Sequence, residues 1–333
     1  MYSGLGTDKK KPLRFLKKIQ EQNDKASNFK VGRGLVYRSF CINGVRIESI
    51  EKKNASDKAI LFLHGGAFLR GSDDFARKIM ARFCNKTNAK VFMPDYSIMP
   101  IAFPKAIEEV DVVWDYLTSI YRPDNILLLG VGSGANLALG LSSRLALTKM
   151  FLPCAMVLIA PWIDMTVSGD SYYDKFYLDK ALGNYVVDLP DLPDAIKMNF
   201  VYDYLNGVDR KDPRVSPLFG NLYGLPKTLI IVGDYSIIQS DAESLYKKLC
   251  ECGVDVQYIV RDKQIGEYVL FYKTNRVAYK DMNTVIEFIN SILNPPKAEE
   301  KPEAPQQVEE TQQTEKVETI SDEEIGADSA ETL

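Results

Sequence analysis

The sequence predicts an α/β fold with an eight-stranded, mostly parallel twisted sheet flanked by helices. Six short apolar runs, rich in branched side chains, recur along the chain. Most are separated by stretches in which apolar residues have helical spacing, such as "DDFARKIMARFCNKT". Parallel strands that crossover helices cover on both faces have this pattern. The runs are residues 59–64, 90–96, 125–131, 154–161, 228–233 and 255–260.

A hairpin supplies the other two strands and begins the sheet. The segments "GLVYRSFCI" and "VRIESIEK" flank Asn43 and Gly44. Both residue types tolerate the positive φ angles that a two-residue hairpin turn requires. We therefore expect two antiparallel strands ahead of the parallel ones.

Two segments fall outside this alternation within an α/β domain that covers residues 34–293. Residues 1–33 contain "PLRFLKKIQEQN", which reads as an amphipathic helix, and residues 164–215 form an insert rich in Asp, Tyr and Pro. Ligands of such sheets bind beyond the carboxyl ends of the strands, where inserted segments can cover them. We expect these two segments to form a cap, the first of them as a lid.

Residues 294–333 have the composition of a disordered acidic tail. They hold 12 acidic residues against 3 lysines and lack aromatic residues and cysteine. Such a segment buries too little apolar surface to offset the entropy lost on ordering. The tail is a candidate site for a protein partner.

The overall composition argues against a membrane-spanning, secreted or metal-binding protein. Hydrophobic residues make up 46 % of the chain, enough for a large core, but no run of 18 uncharged apolar residues predicts a transmembrane helix. The N-terminus lacks the apolar segment of a signal peptide, and the five cysteines are scattered, as in a reduced cytoplasmic protein. A single histidine argues against a metal site. We expect no metal, no cofactor and no nucleic-acid partner.

A glycine-rich loop follows the first of the six runs. His64, Gly65 and Gly66 come directly after an apolar segment. Two consecutive glycines let backbone N–H groups approach a ligand and point outward together, which is how an oxyanion hole is made. We predict that this loop binds a carbonyl or carboxylate oxygen.

Three further motifs, in the right order, make the match to a known family specific. They are "PDYSIMPIAFPKAIEEV", "LIAPWIDMTVSGDSY" and "DPRVSPLFGNLYGLPKTLIIVGD". With the glycine-rich loop, the chain from about residue 55 to 272 resembles the hormone-sensitive-lipase-like branch of the α/β-hydrolases. The resemblance implies the α/β-hydrolase fold and hydrolysis of carboxylic esters by a Ser-His-Asp/Glu triad.

None of the three triad positions that the resemblance implies holds the residue type that the triad requires there. In "LLLGVGSGANLAL" the nucleophile's place is taken by Gly132, and Ser133 falls on the family's alanine. The acid aligns with Ser236, and the base aligns with Gly266, one residue before Glu267. The histidine of the glycine-rich loop is the only one in the chain.

Nearby polar residues leave alternatives open. Ser133 is either a displaced nucleophile, which would need a carboxylate or lysine as its base, or a structural serine at a helix start. The resemblance implies that its backbone N–H, with the loop of His64, Gly65 and Gly66, belongs to the oxyanion hole. Asp241 matches a second aspartate of the family motif and is expected to be a helix N-cap.

Three functions are compatible with these patterns. The first is a pseudoenzyme that binds a small carboxylate or ester-like ligand, or a partner, in the old active-site pocket. The second is a weak or unconventional ester hydrolase that uses Ser133. The third is an interaction scaffold that acts through the acidic tail.

Overall fold

The structure, a computed structural model, describes residues 19, 21–179 and 204–295. The predicted tail beyond residue 295, most of the first 20 residues and the middle of the insert lie outside the described residues. Where the predicted N-terminal helix is described, at residues 19 and 21–23, it is helical. Within the described residues, no helix is both long and apolar enough to span a bilayer.

One sheet of eight strands forms the centre of the protein. The strands are β1 (Leu35–Ile42), β2 (Val45–Lys52), β3 (Ala59–Leu63), β4 (Lys90–Pro94), β5 (Ile126–Val131), β6 (Ala155–Ile159), β7 (Thr228–Tyr235) and β8 (Val256–Ile265). Their order across the sheet is β1-β2-β4-β3-β5-β6-β7-β8. The pairs β1–β2 and β2–β4 are antiparallel, and the other neighbours are parallel. The predicted α/β-hydrolase sheet is confirmed.

Helices cover both faces of the sheet. They include α1 (Asp74–Thr87), α2 (Lys105–Ile120), α3 (Ser133–Leu147), α4 (Ser171–Asp174), α5 (Gln239–Glu251) and α6 (Arg276–Leu293). Side chains of β3 alternate between two separate cores. Leu61 and Leu63 lie in the core that contains residues of α2, α3 and α5. Ile60 and Phe62 lie in the core that contains residues of α1 and α6.

The hairpin prediction is confirmed. β1 and β2 pair from Ile42 opposite Val45, with a two-residue turn at Asn43 and Gly44. The turn residues have φ angles of 45° and 84°, as a turn that matches the twist of the strands requires.

The N-cap prediction for Asp241 is wrong. The N-cap of α5 is Ile238, and Asp241 lies in the first turn of the helix. Its buried carboxylate instead accepts hydrogen bonds from the backbone N–H groups of Ile163 and Asp164, both at 3.0 Å. The side chain therefore fixes the segment after β6 to α5.

Candidate active site

Four loops meet at one edge of the sheet. The sheet is parallel from β3 across β5, β6 and β7 to β8. The carboxyl ends of these strands therefore lie at the same edge. The residues that directly follow these strands are His64, Gly132, Ser236 and Gly266. The sequence-predicted site residues therefore lie at one edge of the sheet.

A sharp turn joins β5 to α3. Gly132, at the turn, has φ +53° and ψ −116°, and α3 begins at the next residue. Strand and helix approach so closely that a Cβ on Gly130 would lie 2.5 Å from the Cα of Ala135. A Cβ on Gly134 would overlap the carbonyl oxygen of Leu63. The small residues of this stretch are explained by the tight turn itself.

Backbone N–H groups without a backbone acceptor lie next to this turn. A Cβ placed on Gly132 would lie 3.9 Å from the Cα of Gly65, so the glycine-rich loop borders the turn. In the part of the chain that the structure describes, no backbone oxygen accepts from the N–H of Gly65 or Gly66. Ser133 begins α3, so its N–H has no acceptor one turn earlier in the helix. A carbonyl or carboxylate oxygen placed here could accept hydrogen bonds from these groups.

The side chains of Ser133 and His64 are buried and do not form a nucleophile–base pair. Their exposed fractions are 1 % and 2 %. His64 Nε2 has no hydrogen-bond partner among the described residues. The Ser133 hydroxyl lies beside that of Tyr96, whose ring stacks on His64 with 4.2 Å between ring centroids. Burial also lowers the pKa of His64, which favours the neutral ring.

The aligned positions of the acid and the base are adjacent. A Cβ on Gly266 would lie 2.8 Å from the Ser236 hydroxyl. This hydroxyl donates a hydrogen bond of 3.3 Å to Asp179, which also accepts from the N–H of Ile237 at 2.9 Å. A carboxylate from the insert therefore lies next to the place that the acid of a triad would occupy.

The comparisons with known proteins agree with this geometry. Residues 60–270 match the family model described as the alpha/beta hydrolase fold. The chain belongs to the α/β-hydrolase family. The match spans more than half of the chain and includes all four loops of the site.

Curated relatives of this α/β-hydrolase include an esterase and an acetyl-hydrolase. An esterase of Acinetobacter venetianus is 29 % identical over 257 residues, which are 77 % of this chain and 82 % of the relative. An acetyl-hydrolase of Streptomyces hygroscopicus is 29 % identical over 63 % of this chain and 68 % of its own length.

Solved structures show the same fold. An esterase from the bacterial hormone-sensitive lipase family superposes with a TM-score of 0.71 at 23 % identity, over 85 % of this chain and 98 % of the other. A hormone-sensitive lipase from a metagenome library gives a TM-score of 0.70 at 22 % identity, over 84 % and 98 % of the two chains. The hormone-sensitive-lipase-like α/β-hydrolase fold is thus shown.

Within this hydrolase fold, Glu267 reaches Gly132, the residue that the sequence aligns with the nucleophile. A Cβ on Gly132 would lie 3.5 Å from Oε1 of Glu267. Apart from that oxygen and the Cα of Gly65, no described atom beyond the chain neighbours of Gly132 lies within 4 Å of this point. The carboxyl group therefore borders the space that a serine side chain would fill.

The surroundings of Glu267 favour its neutral form. Burial, followed by the negative charge of Asp179, raises the pKa of Glu267 from 4.5 to about 7. Its own backbone N–H and Arg70 act in the opposite direction. No described Lys or Arg forms an ion pair with this carboxyl group. Glu267 can therefore bind or release a proton near neutral pH.

The sequence alone gave only an indirect signal for these two carboxyl groups. Glu267 directly follows the position aligned with the base, but its approach to Gly132 depends on how β8 ends. Asp179 lies in the insert, where no motif marks it. Within the described ranges, no group of three His, Cys, Asp or Glu residues is arranged to hold a metal ion.

Proposed function

We propose that the protein is a pseudoenzyme of the α/β-hydrolase family in the sense that it lacks the family's catalysis by a serine nucleophile. It binds a small carboxylate or ester-like ligand in the former active site and forms no covalent acyl-enzyme with it. The observation that carries this proposal is glycine at the turn after β5, with the neighbouring Ser133 hydroxyl buried against Tyr96.

The large contribution of the missing serine and histidine to the rate of catalysis supports this proposal. In a well-studied serine hydrolase, loss of the serine or the histidine alone lowers kcat by about 10⁶. Here the serine position is Gly132 and the single histidine is buried without contact to a nucleophile. The burial of Ser133 likewise disfavours the alternative in which it attacks an ester.

Backbone donors define the class of ligand. The N–H groups of Gly65, Gly66 and Ser133 favour an oxygen that carries full or partial negative charge. Such an oxygen belongs to a carboxylate or to the carbonyl of an ester. The ligand need not be hydrolysed for these contacts to form.

The segment before β1 contacts the loop that follows these donors, as a lid would. Asn23 donates to the carbonyl oxygen of Leu69 at 2.9 Å and accepts from the N–H of Gly71 at 3.2 Å. Arg70 donates to Gln22 at 3.0 Å. The described part of residues 1–33 therefore supports the glycine-rich loop, and ligand binding depends on it in this proposal.

Two measurements on the intact protein test the proposal. A fluorophosphonate probe, followed by intact-protein mass spectrometry, yields no adduct under conditions that label an active serine esterase completely. Butyrate, the carboxylate used as probe, binds, and ligand-observed NMR detects the binding. The signals of bound butyrate are lost when an excess of a competing ligand is added. A stoichiometric adduct would contradict the proposal, and its loss in Ser133→Ala would identify that residue as the nucleophile.

The lid contact has a matched control. Asn23→Ala weakens butyrate binding because it removes both hydrogen bonds to the loop, whereas Asn28→Ala leaves binding unchanged. Asn28 lies in the same segment, and its exposed side chain makes no hydrogen bond to a described residue. Equal affinity of the two variants would remove the lid from the proposal.

A second candidate function, a scaffold that binds partners through the acidic tail, concerns residues outside the described part of the chain. It stays a prediction from composition. Pull-downs with and without residues 294–333 separate it from ligand binding in the pocket.

A further inference from the structure

We propose that Glu267 is a general base that activates a water molecule at Gly132, so that the pocket hydrolyses esters without a serine nucleophile. The inference rests on the proposed binding of an ester-like ligand at this site. It differs from serine hydrolase chemistry because water attacks the ester directly and no acyl-enzyme forms.

The first support is space. Glycine leaves the region beyond its Cα free of a side chain, and Oε1 of Glu267 borders that region at 3.5 Å from the Cβ position. A water molecule there takes the place of a serine hydroxyl. The N–H donors of Gly65 and Gly66 lie on the loop that borders the same region. The carboxyl group of Glu267 and the glycine-rich loop thus border the same region, where hydrolysis requires a base and carbonyl donors.

The second support is the availability of Glu267 for proton transfer. Other carboxylates at this edge are engaged: Asp179 accepts from Ser236 and the N–H of Ile237, and Asp234 pairs with Lys175 at 3.0 Å. Glu267 has no ion-pair partner among the described residues and receives only its own backbone N–H. A base that is not neutralised by a cation can accept the proton of water.

The third support is the proton affinity of the group. A pKa of about 7 lies near the pH of most cells, where a base is both deprotonated in a large fraction of molecules and strong enough to remove a proton. Besides Asp179, which raises this pKa, the charged group that acts on it is Arg70, which lowers it.

The reaction balances without a further reactant. As the water oxygen forms a bond to the ester carbon, one water proton moves to the carboxylate of Glu267. The carbonyl π electrons move to the oxygen, which the backbone N–H groups stabilise. When the tetrahedral intermediate collapses, the bond to the alkoxy oxygen breaks, and that oxygen takes the proton back from Glu267. The products are a carboxylic acid and an alcohol.

Glu267→Gln tests the role of the base. The variant keeps the shape of the side chain but cannot take a proton. We expect hydrolysis of p-nitrophenyl butyrate at about pH 8 to fall by about 100-fold or more. Glu287→Gln is the matched control, because Glu287 is exposed on α6, and its rate equals that of the unchanged protein.

The pH profile and the time course identify the mechanism. The rate in the unchanged protein rises with pH through a midpoint of about 7, because only the carboxylate form of Glu267 accepts a proton. This profile is absent in Glu267→Gln. Release of p-nitrophenol shows no initial burst, because no acyl-enzyme accumulates.

A second variant tests the proposal independently if Glu267→Gln fails to fold. Gly132→Ala places a methyl group in the space assigned to water and leaves the carboxyl group in place. We expect it to abolish hydrolysis while butyrate still binds, with circular dichroism as the check on folding.

The outcomes separate this inference from the proposed function. Rates that are equal in the unchanged protein and in Glu267→Gln, or no hydrolysis above a protein-free blank, overturn the role of Glu267. If butyrate binds in those samples, ligand binding in the pocket stands. If butyrate does not bind, the proposed function fails as well.

Discussion

At the scale of single residues, the chemistry of this pocket depends on Gly132. Its φ of +53° lies in a region that glycine adopts freely and that costs another residue about 1 to 3 kcal/mol. In esterases of this family the nucleophilic serine is expected at this position, so catalysis would justify the strain there. With glycine the turn stays sharp without that cost.

Gly132→Ala should therefore lower the free energy of unfolding by about 1 to 3 kcal/mol. Urea unfolding followed by tryptophan fluorescence measures the change. Gly140→Ala is the control: Gly140 lies within α3, and its added Cβ would meet only the end of the Arg144 side chain, at 3.4 Å. This control should stabilise the protein by about 0.5 to 1 kcal/mol. Unchanged stability of Gly132→Ala would mean that the turn relaxes without strain.

At the scale of elements, Asp241 connects the segment after β6 to α5. Burial, and next the charge of Asp164, raise the pKa of Asp241 well above its usual range. The N–H groups of Ile163 and Asp164 and the hydroxyl of Tyr172 oppose this by donating to the carboxyl group. These three hydrogen bonds hold the start of the insert in place. The helix propensity of α5 stabilises only the helix itself and provides no such contact.

Asp241→Ala should destabilise the protein by about 3 kcal/mol or more, because each buried donor left without an acceptor costs about 1 to 3 kcal/mol. Asp241→Asn keeps one acceptor oxygen and should cost less. Urea unfolding gives both values, with Asp262→Ala as the control at an exposed carboxylate of β8. An equal loss in the alanine variants at 241 and 262 would show that the three hydrogen bonds contribute nothing.

At the scale of the whole molecule, Glu267 links stability to pH. Its pKa in the folded protein is about 7, above the ordinary value of 4.5. The folded state therefore binds the proton more tightly than the unfolded state does. The resulting stabilisation is fully present below about pH 4.5 and is lost as the pH rises through about 7. Above that pH, the partly buried charge lowers the free energy of unfolding.

Glu267→Gln should raise the free energy of unfolding at about pH 8 by about 3 kcal/mol, since the pKa rises from 4.5 to about 7 and each pKa unit corresponds to about 1.4 kcal/mol. The advantage should shrink as the pH is lowered through the window between about 7 and 4.5. Urea unfolding at several pH values measures it, with Glu287→Gln as the control. A difference that does not depend on pH would contradict the raised pKa.

Much of the fold follows from local sequence. The hairpin at Asn43 and Gly44 depends on turn chemistry within a few residues, and the strands and helices follow from periodicity in short segments. Asp241 was predicted wrongly because its partners, Ile163 and Asp164, are far away along the chain. A cap motif describes only neighbours in sequence.

The sequence by itself determined the α/β-hydrolase fold and the absence of serine at the turn after β5, because motifs with fixed spacing carry both. Only the tertiary structure decided what surrounds that turn. It buries the Ser133 hydroxyl beside Tyr96 and brings the carboxyl group of Glu267 to Gly132. The physical reason is that burial and proton affinity depend on groups from separate strands, which meet only where parallel strands end at one edge of the sheet.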